Sequence, residues 1–288
     1  MYHLIIANRT DTLEEKPGLT WRYSLRARAG GLELLPMIEL THVTRRFGKT
    51  LAVRDLTLSL NKGELFAFLG PNGAGKTTTI KMLVGLLRPT AGTIRIGGMD
   101  VTQQPRECAQ LMGYVPDQPF LYEKLSGREF LEFIAEIRGM TRAETDRAIA
   151  EQAERFELHG FLDDLVETYS HGMRQRVVFA AALLHRPPIL VVDEPMVGLD
   201  PKSTRLVKDL LQHWARSGGV VFMSIHTLSV AEEIATRIGI IHRGQLLFDG
   251  TVEQLRAQMA AQDESLESMF LQLTLEEKAA ASNPAPAS

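Results

Sequence analysis

Apolar and polar positions alternate along Ile38-Glu39-Leu40-Thr41-His42-Val43 and again from Val53 to Leu60, so both segments read as strands with one covered face. Glu64 to Leu69 is almost continuously apolar and reads as a buried strand. A glycine-rich turn follows, then a helix from Lys76 to about Leu87, stopped near Pro89. Thr93 to Ile96 and Gly113 to Val115 read as short strands. From about Ser126 to Leu184 the pattern is mostly helical, with Ser126 and Thr141 as N-caps. The branched run Ile189 to Val192 has the character of a central parallel strand. A helix from about Lys202, a strand Val220 to Ser224, a helix from about Ser229, and strands Ile238 to His242 and Leu246 to Phe248 complete the series. The alternation predicts an α/β fold, a mostly parallel sheet flanked by helices, with a helical insert in the middle.

The ends differ from this body. Residues 1–36 alternate charges with Gly and Pro without a sustained period, and are expected to be a disordered extension. The folded domain is placed at 37–258, with its helical insert at about 118–187. In the remaining 259–288, Glu264 to Ala281 is a candidate acidic amphipathic helix and Ala279 to Ser288 an Ala/Pro/Ser-rich disordered tail.

Composition narrows the classes. With 44% hydrophobic and 23% charged residues over 288 positions, a sizeable core is expected. The net charge of -3 offers no general attraction for nucleic acid. Cys108 is the single cysteine, which excludes an internal disulfide and suits a reducing compartment; it is expected to be a packed thiol. The longest apolar runs, Val177 to Leu184 and Ile189 to Val192, fall well short of the roughly 18–20 residues of a membrane span. Tyr2 to Ala7 is apolar, but no basic segment precedes it as in a signal peptide. Membrane work would need another chain.

Two motifs carry chemistry. Gly70-Pro71-Asn72-Gly73-Ala74-Gly75-Lys76-Thr77 fits the phosphate-binding P-loop at every fixed position. Its glycines let backbone N–H groups turn toward phosphate oxygens, and the following helix points its positive end at the same anion. Lys76 would reach the terminal phosphates and Thr77 would ligate Mg²⁺. The second motif is Ile189-Leu190-Val191-Val192-Asp193-Glu194-Pro195, a buried strand ending in acids. Asp193 would hold Mg²⁺, mostly through water, and Glu194 would polarise the attacking water as general base.

With these in place, the chain resembles the ATP-binding cassette (ABC) ATPases from about Met37 to Gly250. Tyr169-Ser170-His171-Gly172-Met173-Arg174-Gln175-Arg176 resembles the family signature, and Gly198-Leu199-Asp200-Pro201 its D-loop. His226 stands where the family has its switch histidine, and Phe47 where it has an aromatic that stacks on adenine. The resemblance implies a P-loop NTPase ABC-type fold: a RecA-like core sheet, an antiparallel β subdomain and an inserted helical subdomain. It implies ATP and Mg²⁺ as ligands. Phe47, Gly70 to Lys76, Thr77, Thr78, Ser170 and Gly172 would bind nucleotide, with Ser170 and Gly172 reaching the γ-phosphate held by a second cassette. Glu194, His226 and Lys76 would be catalytic; Thr77, Asp193 and Asp117 would face the metal.

Two departures stand out. His171 and Met173 replace the signature's usual glycine and glutamine. In Gly113-Tyr114-Val115-Pro116-Asp117-Gln118-Pro119, which resembles the Q-loop, Asp117 aligns with the expected glutamine. Asp117 would either contact the metal or cap its own turn. Both variants resemble cassettes paired with type-2 ABC exporter permeases. The expected protein is therefore an ATPase that dimerises, homodimer first, and drives a separate permease, peripheral on the cytoplasmic face of the cell membrane. The alternatives are a soluble ABC ATPase of translation or repair, a P-loop kinase or GTPase, and a non-catalytic regulator. The single cassette, the absence of extended heptads between the Walker motifs, the signature, and the intact Lys76, Asp193 and Glu194 oppose them in turn.

Overall fold

The computed structural model describes residues 25–28 and 31–260. Along the chain run β1 (Leu25–Arg28), β2 (Gly31–Leu34), β3 (Ile38–Phe47), β4 (Thr50–Leu60), β5 (Leu65–Leu69), α1 (Lys76–Leu83), β6 (Ala91–Ile96), β7 (Met99–Asp100), α2 (Pro105–Gln110), β8 (Met112–Val115), α3 (Gly127–Ile137), α4 (Arg142–Arg155), α5 (His171–Leu183), β9 (Ile189–Asp193), α6 (Pro201–Arg216), β10 (Val220–Ile225), α7 (Leu228–Ile234), β11 (Arg237–His242), β12 (Gln245–Gly250) and α8 (Val252–Ala260). The main sheet has the order β12-β11-β5-β10-β9-β8. All its neighbours are parallel except β12, which closes one edge antiparallel to β11. A second sheet, β4-β3-β6-β7, is antiparallel.

The continuous apolar runs become intelligible once both faces of the main sheet are covered. Leu65, Ala67 and Leu69 of β5 join one hydrophobic cluster with the helical insert, α6 and α7. Phe66 and Phe68, pointing the other way, join a second cluster with α1 and the antiparallel sheet. The same period of two divides Leu190 and Val192 from Ile189 and Val191 in β9, and Val221 and Met223 from Val220 and Phe222 in β10. Phe66, Phe68 and Phe222 meet with centroids 5.4–6.1 Å apart under the second sheet.

The helical insert is built from local signals. Ser126 and Thr141 each form a reciprocal capping box, with Glu129 and Glu144, at the starts of α3 and α4. The Tyr169 hydroxyl donates to Phe161 O (2.7 Å) and accepts from Gly127 N (3.1 Å), tying the segment before α5 to the start of α3. Arg138 at the end of α3 donates to Ala109 O (2.6 Å), fastening the insert to the core.

Some expectations shift. α1 ends at Leu83 rather than near Leu87, because Gly85 supplies a helix stop before Pro89 can. The short β7 and α2 lie where no periodic signal was read. Structure-free residues were expected over 1–36, yet β1 pairs antiparallel with β2, Leu25 opposite Leu34; residues 1–24 lie outside the described residues, as do the candidate helix Glu264 to Ala281 and the tail. Cys108 is fully buried, and burial pushes its thiol up to about 11, so it is packed and unreactive.

Every strand of the two larger sheets begins after Met37, whose N–H donates to Leu60 O (2.8 Å) and whose carbonyl accepts from Gly97 N (2.9 Å). A chain begun at Met37 is therefore expected to melt within about 4 °C of the full chain, roughly 1 kcal/mol for a domain of this size. A larger fall in a thermal melt would show that the extension packs on the cassette.

Candidate active site

Strand order assembles the site. The P-loop follows β5, His226 follows β10, Asp193 ends β9 and Asp117 follows β8; these four strands are neighbours in the order β5-β10-β9-β8. Functional groups far apart in sequence thus gather at the carboxyl ends of parallel strands. Between β5 and α1, Gly75 has φ 111°, and an added Cβ would stand 2.6 Å from Ala52 O, so the turn admits only glycine. Lys76 folds back into this turn. Its Nζ donates to Gly70 O (2.6 Å) and Pro71 O (3.1 Å) and lies 3.4 Å from Glu194 Oε1. The side chain is only 6% exposed, so its charge is fixed at the loop centre.

Asp193 is wholly buried at the end of β9. Its register partner on β10 is Ser224. The Ser224 hydroxyl donates to Asp193 Oδ1, and Ser224 Oγ itself accepts from Glu194 N at 3.0 Å. Burial raises the Asp193 acid above the usual carboxylate range; the Ser224 and Thr77 hydroxyls oppose this, and the charges of Asp117 and Glu194 add to it. Tyr114 is pushed up to about 12 by burial and then by Asp193 and Asp117. Glu194 sits at φ 49°, in the left-handed region where a non-glycine residue is strained by about 1 kcal/mol or more. That conformation turns its carboxylate back over the site. Glu194 Oε2 accepts from His226 Nδ1 at 2.7 Å, and the glutamate side chain is 15% exposed against 52% for the histidine.

The residues present fit Mg²⁺ and a nucleotide. Asp193 Oδ2 is a buried carboxylate oxygen with no hydrogen-bond partner, which is how an unfilled metal ligand looks. The Thr77 hydroxyl acts on the same carboxylate. Among the described residues no group of three or more His, Cys, Asp or Glu forms a metal cage. That suits Mg²⁺, which takes one or two protein oxygens and shares the rest with phosphates and water.

Other sequence candidates lie around this centre. Asp117 is exposed, and its Oδ1 accepts from Gln118 N at 2.8 Å; its charge nonetheless reaches Asp193. Phe47 closes β3, half-exposed, with the Arg45 guanidinium 4.4 Å from its ring centroid. Ser170 caps α5 by accepting from Met173 N at 3.3 Å, and the space beside Gly172 is open. Among the described residues, neither makes a hydrogen bond or ion pair with residues 70–78 or with Asp193 and Glu194. Ser224 was missed by the sequence reading. Its signal was available: it is the one polar residue in Val220-Val221-Phe222-Met223-Ser224-Ile225.

An ionised acid in this dry setting costs stability. Because the folded-state pKa lies above the unfolded one, the cost is present at neutral pH and shrinks as pH falls through the folded value. Asp193→Asn is expected to stabilise the metal-free chain by about 1 kcal/mol, a rise of ~2–4 °C in Tm at pH 7. It should also abolish Mg²⁺-dependent protection by nucleotide. Differential scanning fluorimetry at pH 7 with and without Mg-ATP decides; a lower Tm, or retained protection, contradicts this account.

Residues 53–197 match the ABC transporter family. The chain is 36% identical over 219 residues to the linearmycin resistance ATP-binding protein LnrL of Bacillus subtilis (strain 168), covering 76% of this chain and 70% of that one. It is 37% identical over 221 residues to the bacitracin transport ATP-binding protein BcrA of Bacillus licheniformis, covering 76% and 71%. Among solved structures, the dimeric post-hydrolysis state of the ATP-binding cassette MJ0796 bound to ADP and Pi superposes with a TM-score of 0.69 at 26% identity, over 75% of this chain and 99% of that one. Strand order, P-loop, buried aspartate and these likenesses lead to one assignment: the chain belongs to the ABC transporter family, as an ATP-binding cassette that hydrolyses ATP.

Proposed function

We propose that two copies of this chain close around two ATP molecules and thereby power export through a separate permease. The observation that carries this reading is the division of the site. The P-loop, Asp193, Glu194 and His226 lie together at the carboxyl ends of β5, β9 and β10, whereas Ser170 and Gly172 stand at the start of α5 in the helical insert and make no hydrogen bond to them. A second copy supplies the missing half. The dimer of the MJ0796 cassette and the transport and resistance functions in the names of BcrA and LnrL support it.

The chemistry follows from the side chains. Lys76, Thr77, Thr78 and the N–H groups of residues 70–77 take the phosphates, which draws Lys76 off the Gly70 and Pro71 carbonyls and off Glu194. Thr77 and Asp193 would hold Mg²⁺, with Asp117 acting on it through its charge. When bound, Mg²⁺ neutralises charge developing on the phosphate oxygens. Glu194, released from Lys76, accepts the proton of the attacking water. His226 donates through Nδ1 to Glu194; bridging on to the γ-phosphate requires a proton on Nε2 as well, since both neighbours are acceptors. Phe47 offers its ring to adenine. Loss of the γ-phosphate removes the ligand of the partner's Ser170 and Gly172, and the dimer opens.

A surface on the insert suits the permease. Phe120, Tyr122, Phe133 and Ile137 are exposed, and Tyr122 lies 5.7 and 5.6 Å from Phe120 and Phe133 by ring centroids. This apolar group directly follows the Asp117 loop, so a partner seated there feels the site's state. No helix among the described residues is long and apolar enough to cross a membrane, consistent with the membrane path residing in that partner, the cassette lying on its cytoplasmic side.

Glu194→Gln keeps the ligand set and removes the base. It is expected to lose ATP turnover by 10²-fold or more while accumulating a dimer with Mg-ATP in size-exclusion chromatography. A monomer at all ATP concentrations, with near-normal hydrolysis, would sink both parts of the proposal.

A further inference from the structure

We propose that His171 and Lys202 strap the loop carrying Glu194 to the helical insert, and so make each ATP site of the dimer respond to the other. The inference rests on the sandwich reading above. In that arrangement Glu194 serves the ATP on its own P-loop, whereas Ser170 and Gly172 of the same chain serve the partner's ATP. A rigid link between the two within one chain is a link between two sites.

The link is visible. His171, where the signature usually carries glycine, is the first residue of α5, and its Nε2 lies 3.4 Å from Val197 O. The carbonyl accepts, so the proton sits on Nε2. The ring also lies against Gly198: a Cβ added there would come within 3.0 Å of Nε2 and 3.1 Å of Cδ2. Gly198 has φ 73° as well, so close approach and backbone geometry both call for glycine. The loop ends as Asp200 caps α6, accepting from Lys202 N (2.9 Å) and Ser203 N (3.0 Å). There Lys202 Nζ donates to Glu157, 2.7 and 3.1 Å from its two oxygens, just past α4. The insert therefore grips the loop at two points, from α5 and from α4.

Between grip and catalytic base the loop is short and internally bonded. Val197 N donates to Glu194 O (3.2 Å) and Leu199 N to Met196 O (3.4 Å). A shift of α5 as it closes on the partner's ATP moves Val197, and with it Glu194, whose carboxylate is bonded to His226 at 2.7 Å. Glycine at position 171 would leave the Val197 carbonyl and the Gly198 face without this contact. His171 and Lys202 are thus positioning residues, acting through Glu194.

The test measures cooperativity. Glu194→Gln is first shown to dimerise with Mg-ATP; a missing dimer overturns the sandwich and this inference with it. Steady-state ATPase against Mg-ATP is then compared for the wild type, His171→Gly, His171→Gln and Lys202→Ala. The wild-type Hill coefficient is expected above about 1.5, against a ceiling of two for two sites. His171→Gly should bring it to about 1, His171→Gln, whose amide can reach the same carbonyl, should restore it, and Lys202→Ala should lower it part-way. Glu194→Gln/His171→Gly should still dimerise, which separates lost coupling from lost folding. If His171→Gly proves unstable, His171→Asn, too short to reach Val197 O, carries the same expectation. A His171→Gly coefficient equal to that of the wild type, a wild-type coefficient of 1, or a His171→Gln coefficient as low as that of glycine each overturns the proposal.

Discussion

A fully buried carboxylate sets the terms for everything around it. Asp193 ends a strand whose other four residues are fully buried and apolar, beside β10, which is buried throughout. Such a group is held in place only by groups that favour its charged form: Ser224 hydrogen-bonds Oδ1 and the nearby Thr77 hydroxyl acts in the same sense, while Oδ2 has no partner. The stability given up there is what makes a strong hard-cation ligand at a fixed position. The two hydrophobic clusters that clasp the sheet supply the surplus that tolerates it.

The same constraint places the proposed base, Glu194. Ser224 accepts from Glu194 N through its hydroxyl oxygen and again through its carbonyl, at 3.0 and 3.3 Å, so one residue of β10 fixes both acids. Glu194 is then forced into the left-handed region, and its side chain meets Lys76 and His226. A carboxylate held by Lys76 and His226 is not free to take a proton. In the proposed mechanism its release is tied to phosphates claiming Lys76, which makes hydrolysis conditional on substrate without any separate switch.

Much of this was legible in the residues. The P-loop, the apolar strand ending in Asp193 and Glu194, and the capped helices at Ser126 and Thr141 announce themselves through local spacing, and each is found where spacing placed it. What escaped was set by contacts across the fold. Ser224 matters only because strand register puts it opposite Asp193. The length of α1 was misjudged because apolar periodicity continued past a glycine stop. β7 is two residues long and exists through its pairing with β6, a nonlocal cause with no pattern of its own. His171 read as a departure from a motif; its neighbour, Gly198, became apparent only when α5 and the loop after β9 were seen side by side.

The central claim is that one chain holds two incompatible halves of a site and needs a second chain to use either. Its most direct test is the ATPase rate per chain at saturating Mg-ATP, followed over a dilution series from micromolar to nanomolar protein. The account predicts a specific activity that rises with protein concentration and then saturates, with a midpoint set by the dimer dissociation constant. A specific activity that stays constant down to the lowest concentration, with the chain monomeric by light scattering, would contradict it.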